Sequence, residues 1–220
     1  MGKFIIIEGP DFCGKSTQID LLNVNRVMTG ALGDNVFFTR EPGSYLPESM
    51  EICESIRDKI LNNDNTLMDE AKLFAESRYY HTEEIVKLVN KYDSTIISDR
   101  YIVSSLAYQG FAQGLGPDII YELNKPSLDL LSDNNIDIYC IKFVIDELEW
   151  LIRRQKRLQK EAADSIEQKD IHRDVLHFFI NDRIFDFYTK DIKGFHVYNV
   201  NAGQDKYNVY SNFLEVVNNI

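Results

Sequence analysis

The run Phe4-Ile5-Ile6-Ile7 passes almost directly into Gly9-Pro10-Asp11-Phe12-Cys13-Gly14-Lys15-Ser16-Thr17. Four consecutive large apolar residues predict a strand buried on both faces. The nine residues that follow match G-x-x-x-x-G-K-[ST], and the helix they predict begins at Lys15. Gly9 and Gly14 allow the tight turn. The N–H groups of such a loop form a nest, and the positive end of the following helix points into it. A polyphosphate is the ligand that this geometry suits. Lys15 adds a point charge near the β- and γ-phosphates, and Ser16 offers a hydroxyl to Mg²⁺. Gly9, Pro10, Asp11, Phe12, Cys13, Gly14, Lys15, Ser16 and Thr17 are therefore the candidate residues for holding a nucleotide triphosphate.

The rest of the chain reads as one domain over residues 1–220, because 220 residues suit a single α/β unit. Strands are expected at Phe4–Ile7, Val36–Thr39, Thr95–Ser98, Ile136–Phe143 and His196–Val200. Helices are expected at Lys15–Met28, Pro47–Leu61, Asp69–Lys91, Ile102–Gln113, Asp118–Leu131, Asp146–Lys160, Ile171–Thr189 and Asp205–Val217. Gly30 and Gly33 are expected to close the first of these helices, and Gly194 the penultimate one. Alternation of the two element types predicts a parallel sheet covered on both faces. The net charge is -11, which argues against nucleic acid or a membrane surface as partner. No apolar run reaches the ~18 residues of a membrane span, and no signal segment opens the chain. Cys13, Cys53 and Cys140 lack CxxC spacing and suit a reduced, cytoplasmic setting. Cys13 reads as a small filler in the loop, with oxidation sensitivity as the alternative. His81, His172, His177 and His196 show no metal-ligand spacing and read as structural or surface residues.

Three polar motifs follow three expected strands. The phosphate loop follows the first, Thr39-Arg40-Glu41-Pro42-Gly43 the second and Asp99-Arg100-Tyr101 the third. Parallel strands put their C-terminal ends on one sheet edge, where open α/β sheets bind ligands. Arg40 and Arg100 then offer forked, permanent cations to a second phosphate. The alternative is a structural ion pair with Glu41 or Asp99. Asp99 could reach Mg²⁺ through water, or cap a helix. Asp11 places a carboxylate beside phosphates, which suits a sugar hydroxyl or Mg²⁺-bound water better than a solvated charge. Glu41-Pro42 is a candidate cis peptide.

Phe74 and Arg78 stand four apart on one helix and share a face. Phe74 could stack on a base while Arg78 reads its edge, or both could be core. Arg57 on the preceding helix is equally open. Ser104, Ser105, Tyr108 and Gln109 follow the third strand, and Gln109 both donates and accepts, as reading a pyrimidine edge requires. Arg153, Lys156, Arg157 and Lys160 form a basic face without an acidic residue inside it. With the polar stretch 161–169 it reads as a lid at about 153–170 that brings arginines over a transferring phosphate. A solvated face is the alternative.

GPDFCGKST (9–17), TREPG (39–43), LFAESR (73–78) and SDRYIVSSLAYQG (98–110) together resemble the thymidylate kinase family, over essentially the whole chain. FFINDRIFDFY (178–188) and VNAGQ (200–204) add to the likeness. The resemblance implies a three-layer P-loop NTPase fold with a five-stranded parallel sheet, flanking helices and a short lid. It implies transfer of the ATP γ-phosphoryl group to dTMP with Mg²⁺, which Ser16 and Asp99 would serve. Lys15, Asp11, Arg100, Arg153 and Arg157 become the implied catalytic set. Arg40, Glu41, Arg57, Phe74, Arg78, Arg100, Ser104, Ser105, Tyr108 and Gln109 become the implied dTMP site. Within it Tyr108 would disfavour ribose. A homodimer is implied as well.

The chain departs from the family pattern at three places. Phe12 supplies no cation inside the phosphate loop, which suits members that use lid arginines instead. Ser44 replaces the second glycine of TREPGG. Ser165 follows Asp164 where many members carry Arg. Two other readings compete: a kinase for another pyrimidine monophosphate or for a nucleoside, and a binding module that uses ATP as a switch.

Overall fold

The computed structural model describes residues 2–29, 35–62, 64–159 and 171–220. The chain runs β1 (Lys3–Glu8), α1 (Lys15–Thr29), β2 (Val36–Arg40), α2 (Met50–Asn62), α3 (Leu67–Tyr92) and β3 (Thr95–Asp99). Then come α4 (Ile102–Ser105), a π-helical segment Leu106–Ala112, α5 (Pro117–Asp133), β4 (Ile138–Val144) and α6 (Glu147–Leu158). The chain closes with α7 (His172–Ile180), α8 (Asp182–Thr189), β5 (Phe195–Asn201) and α9 (Lys206–Asn219). The five strands form one parallel sheet in the order β2-β3-β1-β4-β5. This is the α/β architecture expected from the alternation of elements.

The central strand explains why its sequence is uniformly apolar. Phe4 and Ile6 face one core, shared with Ala71, Ile85 and Val89 of α3 and with Phe178 of α7. Ile5 and Ile7 face the other, shared with Leu22 of α1, Trp150 of α6 and Phe213 of α9. A strand buried on both faces cannot alternate apolar with polar residues. The register pairs Ile7 with Asp99 and Arg40 with Asp99, so the C-terminal ends of β1, β3 and β2 lie level. That alignment brings the three polar motifs to one edge.

Several boundaries differ from expectation. β4 begins at Ile138 rather than Ile136. The expected helix 171–189 is two helices, because Asn181 leaves the helical region at φ -101°, ψ 98°. Its side chain accepts from the Ile184 N–H at 3.3 Å, which caps α8. The expected helix 102–113 widens after Ser105 into a π-helical segment. Gly194, at φ 59°, stands at the entry to β5 and closes no helix. Gly30, Gly33, Lys160 and lid residues 161–170 lie outside the described residues.

Asn181→Ala removes the α8 cap and is expected to lower stability by about 1 kcal/mol. Urea unfolding measures this. An unchanged midpoint would mean that packing of Phe185 alone holds the break.

Candidate functional site

One cavity of about 920 Å³ opens along the aligned strand ends. Its wall includes Asp11, Phe12, Gly14, Lys15, Ser16 and Thr17 from the phosphate loop. Arg40, Glu41 and Arg57 line another part, and Phe74 with Gln109 a third. Asp99, Arg100, Ser104, Ser105 and Tyr108 lie on the same wall, as do Arg153 and Arg157 of α6. Segments far apart in sequence thus converge as expected.

The phosphate loop owes its shape to backbone constraint. A Cβ at Gly9 would meet the Phe143 carbonyl oxygen at 2.8 Å, so only glycine lets the loop cross the end of β4. Gly14 sits at φ 96°, open to the cavity. Gly9 and Pro10 contribute carbonyls: Lys15 Nζ donates to them at 2.9 and 3.0 Å. Cys13 is buried beneath the loop, and its Sγ lies 3.8 Å from Lys15 Nζ. That burial matches the filler reading of Cys13.

Arg100 links the loop to the end of β3. It adopts φ 74°. Its Nη1 donates to Ser104 Oγ at 2.9 Å and to the Gly9 carbonyl at 3.4 Å. Arg100 and Lys15 therefore share an acceptor. Arg100 Nη2 pairs with Asp11 Oδ1. The other Asp11 oxygen accepts from the Tyr108 hydroxyl at 2.5 Å and lies 3.4 Å from His172 Nδ1. Burial alone would raise the Asp11 pKa, but Arg100, Lys15, Tyr108 and His172 outweigh it and hold it below the usual value. The structural partner of Arg100 is Asp11, not Asp99.

Arg40 pairs with Glu54 at 2.8 Å, not with Glu41, and lies 4.4 Å from the Tyr45 ring centre. Its Nε is buried without a partner. Arg57 donates to the Pro42 carbonyl at 2.7 Å. Glu41-Pro42 is cis. Asp99 caps no helix: Tyr101 occupies that position on α4. Asp99 Oδ2 accepts instead from the Ser16 hydroxyl at 2.9 Å, and its Oδ1 is buried without a partner. Two hard oxygen donors with one orphaned lone-pair site fit Mg²⁺ reached through water. Arg153 donates to the Cys13 carbonyl at 3.0 Å and to the Gln204 carbonyl at 3.1 Å, while its Nε holds Glu149 at 2.7 Å. These bonds fasten α6 to the phosphate loop.

Arg78 departs from its expected place. It is 1% exposed and is not part of the cavity wall. Its guanidinium donates to Glu41, to Asn124 at 2.6 Å, to the Tyr101 carbonyl and to Ser105 Oγ at 3.1 Å. It stands behind the wall and orients Glu41 and Ser105, whereas Phe74, four residues earlier, faces the cavity.

Several contributors escaped the sequence. Glu8 is fully buried and accepts from the Tyr101 N–H at 2.7 Å and the Ser104 hydroxyl at 2.7 Å. Burial pushes its carboxyl up to about 7, against the donors aimed at it and the Arg100 charge. His172 stands against Asp11 and Phe12. Glu70 lines the cavity beside Gln109. A charged residue at the inner end of an apolar strand, as Glu8 is, was the only signal available for any of the three.

The thymidylate kinase family model matches residues 7–185. A thymidylate kinase from Bacillus velezensis is 36% identical over 99% of this chain and 95% of its own length. One from Bacillus pumilus is 33% identical over 98% of this chain and 95% of its own. The crystal structure of thymidylate kinase from Ehrlichia chaffeensis superposes with a TM-score of 0.62 at 26% identity, covering 99% of both chains. The chain belongs to the thymidylate kinase family.

Glu8 makes stability pH-dependent. Its folded pKa of about 7 exceeds the ordinary 4.5, so the folded state holds the proton longer than the unfolded chain. The contribution, roughly 3 kcal/mol, is complete below pH ~4.5 and is lost as pH rises through ~7. Glu8→Gln should remove that slope. Urea unfolding of both proteins across this window measures it, and parallel profiles would overturn the assignment.

Proposed function

We propose that this member of the thymidylate kinase family transfers the γ-phosphoryl group of ATP to dTMP, giving dTDP and ADP. One observation carries the reading. A single cavity holds the phosphate loop around Lys15 together with Arg40, Arg57 and Arg100, so two phosphate-bearing ligands can meet end to end. An ATP switch needs no second set of cations, and the family matches favour the kinase.

Phosphoryl transfer asks little covalent chemistry of the protein; it asks for positioning and charge. In this reading the loop amides and Lys15 hold the donor. Arg40, with its unpartnered Nε, and Arg100 hold the acceptor phosphate, and Arg57 assists. Asp11 aims Arg100 and Tyr108 through its two oxygens, in addition to the sugar contact read from the sequence. Tyr108, held by Asp11, presents its ring where a ribose 2′-hydroxyl would crowd it. Phe74 offers the face on which thymine stacks, and Gln109 reads its edge. Arg78 acts from behind, through Ser105. Arg153 and Arg157 bring cations to the transferring group. Ser16 directly and Asp99 through water would hold Mg²⁺, which would supply charge neutralisation to the phosphates. The family likeness supports a homodimer, and the three buried unpaired cysteines suit a cytoplasmic setting.

A coupled ADP-release assay with dTMP, dUMP, dCMP, dGMP and thymidine tests the substrate. dTMP should exceed dUMP by roughly tenfold in kcat/KM, the worth of one methyl in an apolar site, and the others by more. Equal turnover across the panel would overturn the assignment. Replacing Arg153 and Arg157 together by Met should lower kcat on the order of 10³-fold while leaving KM values near their starting point. Unchanged kcat would return these arginines to a purely structural role on α6.

A further inference from the structure

Gln109 lies in the π-helical segment, is 3% exposed and lines the cavity. A side-chain amide can present either its oxygen or its NH₂, and the two ends recognise opposite partners. Here the choice is made by Glu70. Gln109 Nε2 donates to Glu70 Oε1 at 3.0 Å. The reverse orientation would set amide oxygen against carboxylate oxygen, acceptor against acceptor. With the NH₂ turned to Glu70, Gln109 Oε1 remains buried without a hydrogen-bond partner. A buried acceptor left in this state is costly unless a ligand supplies a donor.

Glu70 and Phe74 stand four residues apart on α3 and line the same cavity. The residue that orients the amide thus sits one helical turn from the apolar ring. Thr66 fixes the start of this helix: its hydroxyl accepts from the Asp69 N–H at 3.2 Å, and its carbonyl accepts from the Glu70 N–H at 2.8 Å. Glu70 is 8% exposed, which shields its interaction with Gln109 from water.

We propose that Glu70 is a positioning residue that locks the Gln109 amide with its oxygen toward the acceptor base, so that the site selects bases with an N–H at the pyrimidine N3 edge. Thymine and uracil carry that imide N–H. Cytosine has a bare, accepting N3 and sets oxygen against lone pair. The inference rests on the dTMP-kinase reading and adds to it the physical device that rejects cytosine.

The test compares dTMP and dCMP as acceptors for the wild-type chain, Glu70→Gln and Glu70→Met. Glutamine can donate to Gln109 Oε1, and methionine makes no polar claim on it; either releases the amide to turn. The preference for dTMP over dCMP in kcat/KM should fall on the order of 10–100-fold in both variants, with KM for dCMP decreasing. Near-isosteric Gln preserves the helix, and urea unfolding reports whether Met does. A role in folding alone would lower both acceptors together, and an unchanged ratio in a folded variant overturns the proposal. A wild-type chain that uses dCMP as well as dTMP overturns the substrate reading and this inference together. A wild-type preference for dTMP that survives both substitutions overturns the inference alone.

Discussion

The carbonyl of Gly9, shared by Lys15 and Arg100, is the point from which the site is built. It joins the loop after β1 to the residue after β3 across strands that run side by side. Arg100 then ties a second point of the loop through Asp11. Glu8, the last residue of β1, receives the Tyr101 N–H and the Ser104 hydroxyl from the far side. The two strand ends are therefore clamped in both directions. An arginine confined this way loses little rotamer freedom when a phosphate arrives, which is how preorganisation gains affinity. The positive φ of Arg100 belongs to the same bargain, because the clamp over-determines a backbone angle that a non-glycine residue otherwise avoids.

A second clamp shapes the acceptor side from within the core. Glu41 binds Arg78 through one oxygen and His81 through the other, at 2.8 and 3.0 Å. His81 also meets Thr39 at 2.9 Å. Arg78 continues to Asn124 and Ser105. The whole set is buried, so removing Glu41 or Arg78 would strand the other's charge and cost about 3–5 kcal/mol. Such a network fixes the loop after β2 rigidly enough to present Arg40 and Pro42 to the cavity. It also explains why Arg78 stands behind the cavity wall here: its nitrogens donate to Glu41, Asn124, the Tyr101 carbonyl and Ser105.

How much of this was legible depended on whether the signal was local. Runs of β-branched and aromatic residues located all five strands; burial on both faces dictates that composition in β1, β3 and β4, while β2 and β5 at the sheet edges are only partly buried. The phosphate loop was readable from glycine spacing, and the convergence of Arg40 and Arg100 followed from strand direction. Depth was not readable. Helical spacing put Phe74 and Arg78 on one face of α3, but only the packing of α5, through Asn124, drew Arg78 into the core. The break at Asn181 was hidden because apolar residues continue at helical spacing through it. The π-helical segment was hidden because one extra residue in a turn leaves no compositional trace. Glu8, Glu70 and His172 act through partners that the chain brings from afar, at sequence separations no window covers.

The remaining difficulty is electrostatic: a chain of net charge -11 must attract anionic ligands. Pairing resolves it locally. Arg40 gives one nitrogen to Glu54, which aims its fork, whereas all three nitrogens of Arg153 are engaged by Glu149 and by the Cys13 and Gln204 carbonyls. A guanidinium has five N–H donors, so a carboxylate at one edge leaves others for phosphate. In the proposed reading the unpartnered Nε of Arg40 is such a donor. The acidic groups elsewhere act at longer range, and salt at physiological strength screens exposed charges beyond ~8 Å. In the proposed reading, a phosphate inside the cavity meets arginines and Lys15 at short range, where screening is weaker than at the surface. Contact cations therefore outweigh the distant surface, and an acidic protein can hold two polyanions without a basic exterior that would also gather nucleic acid.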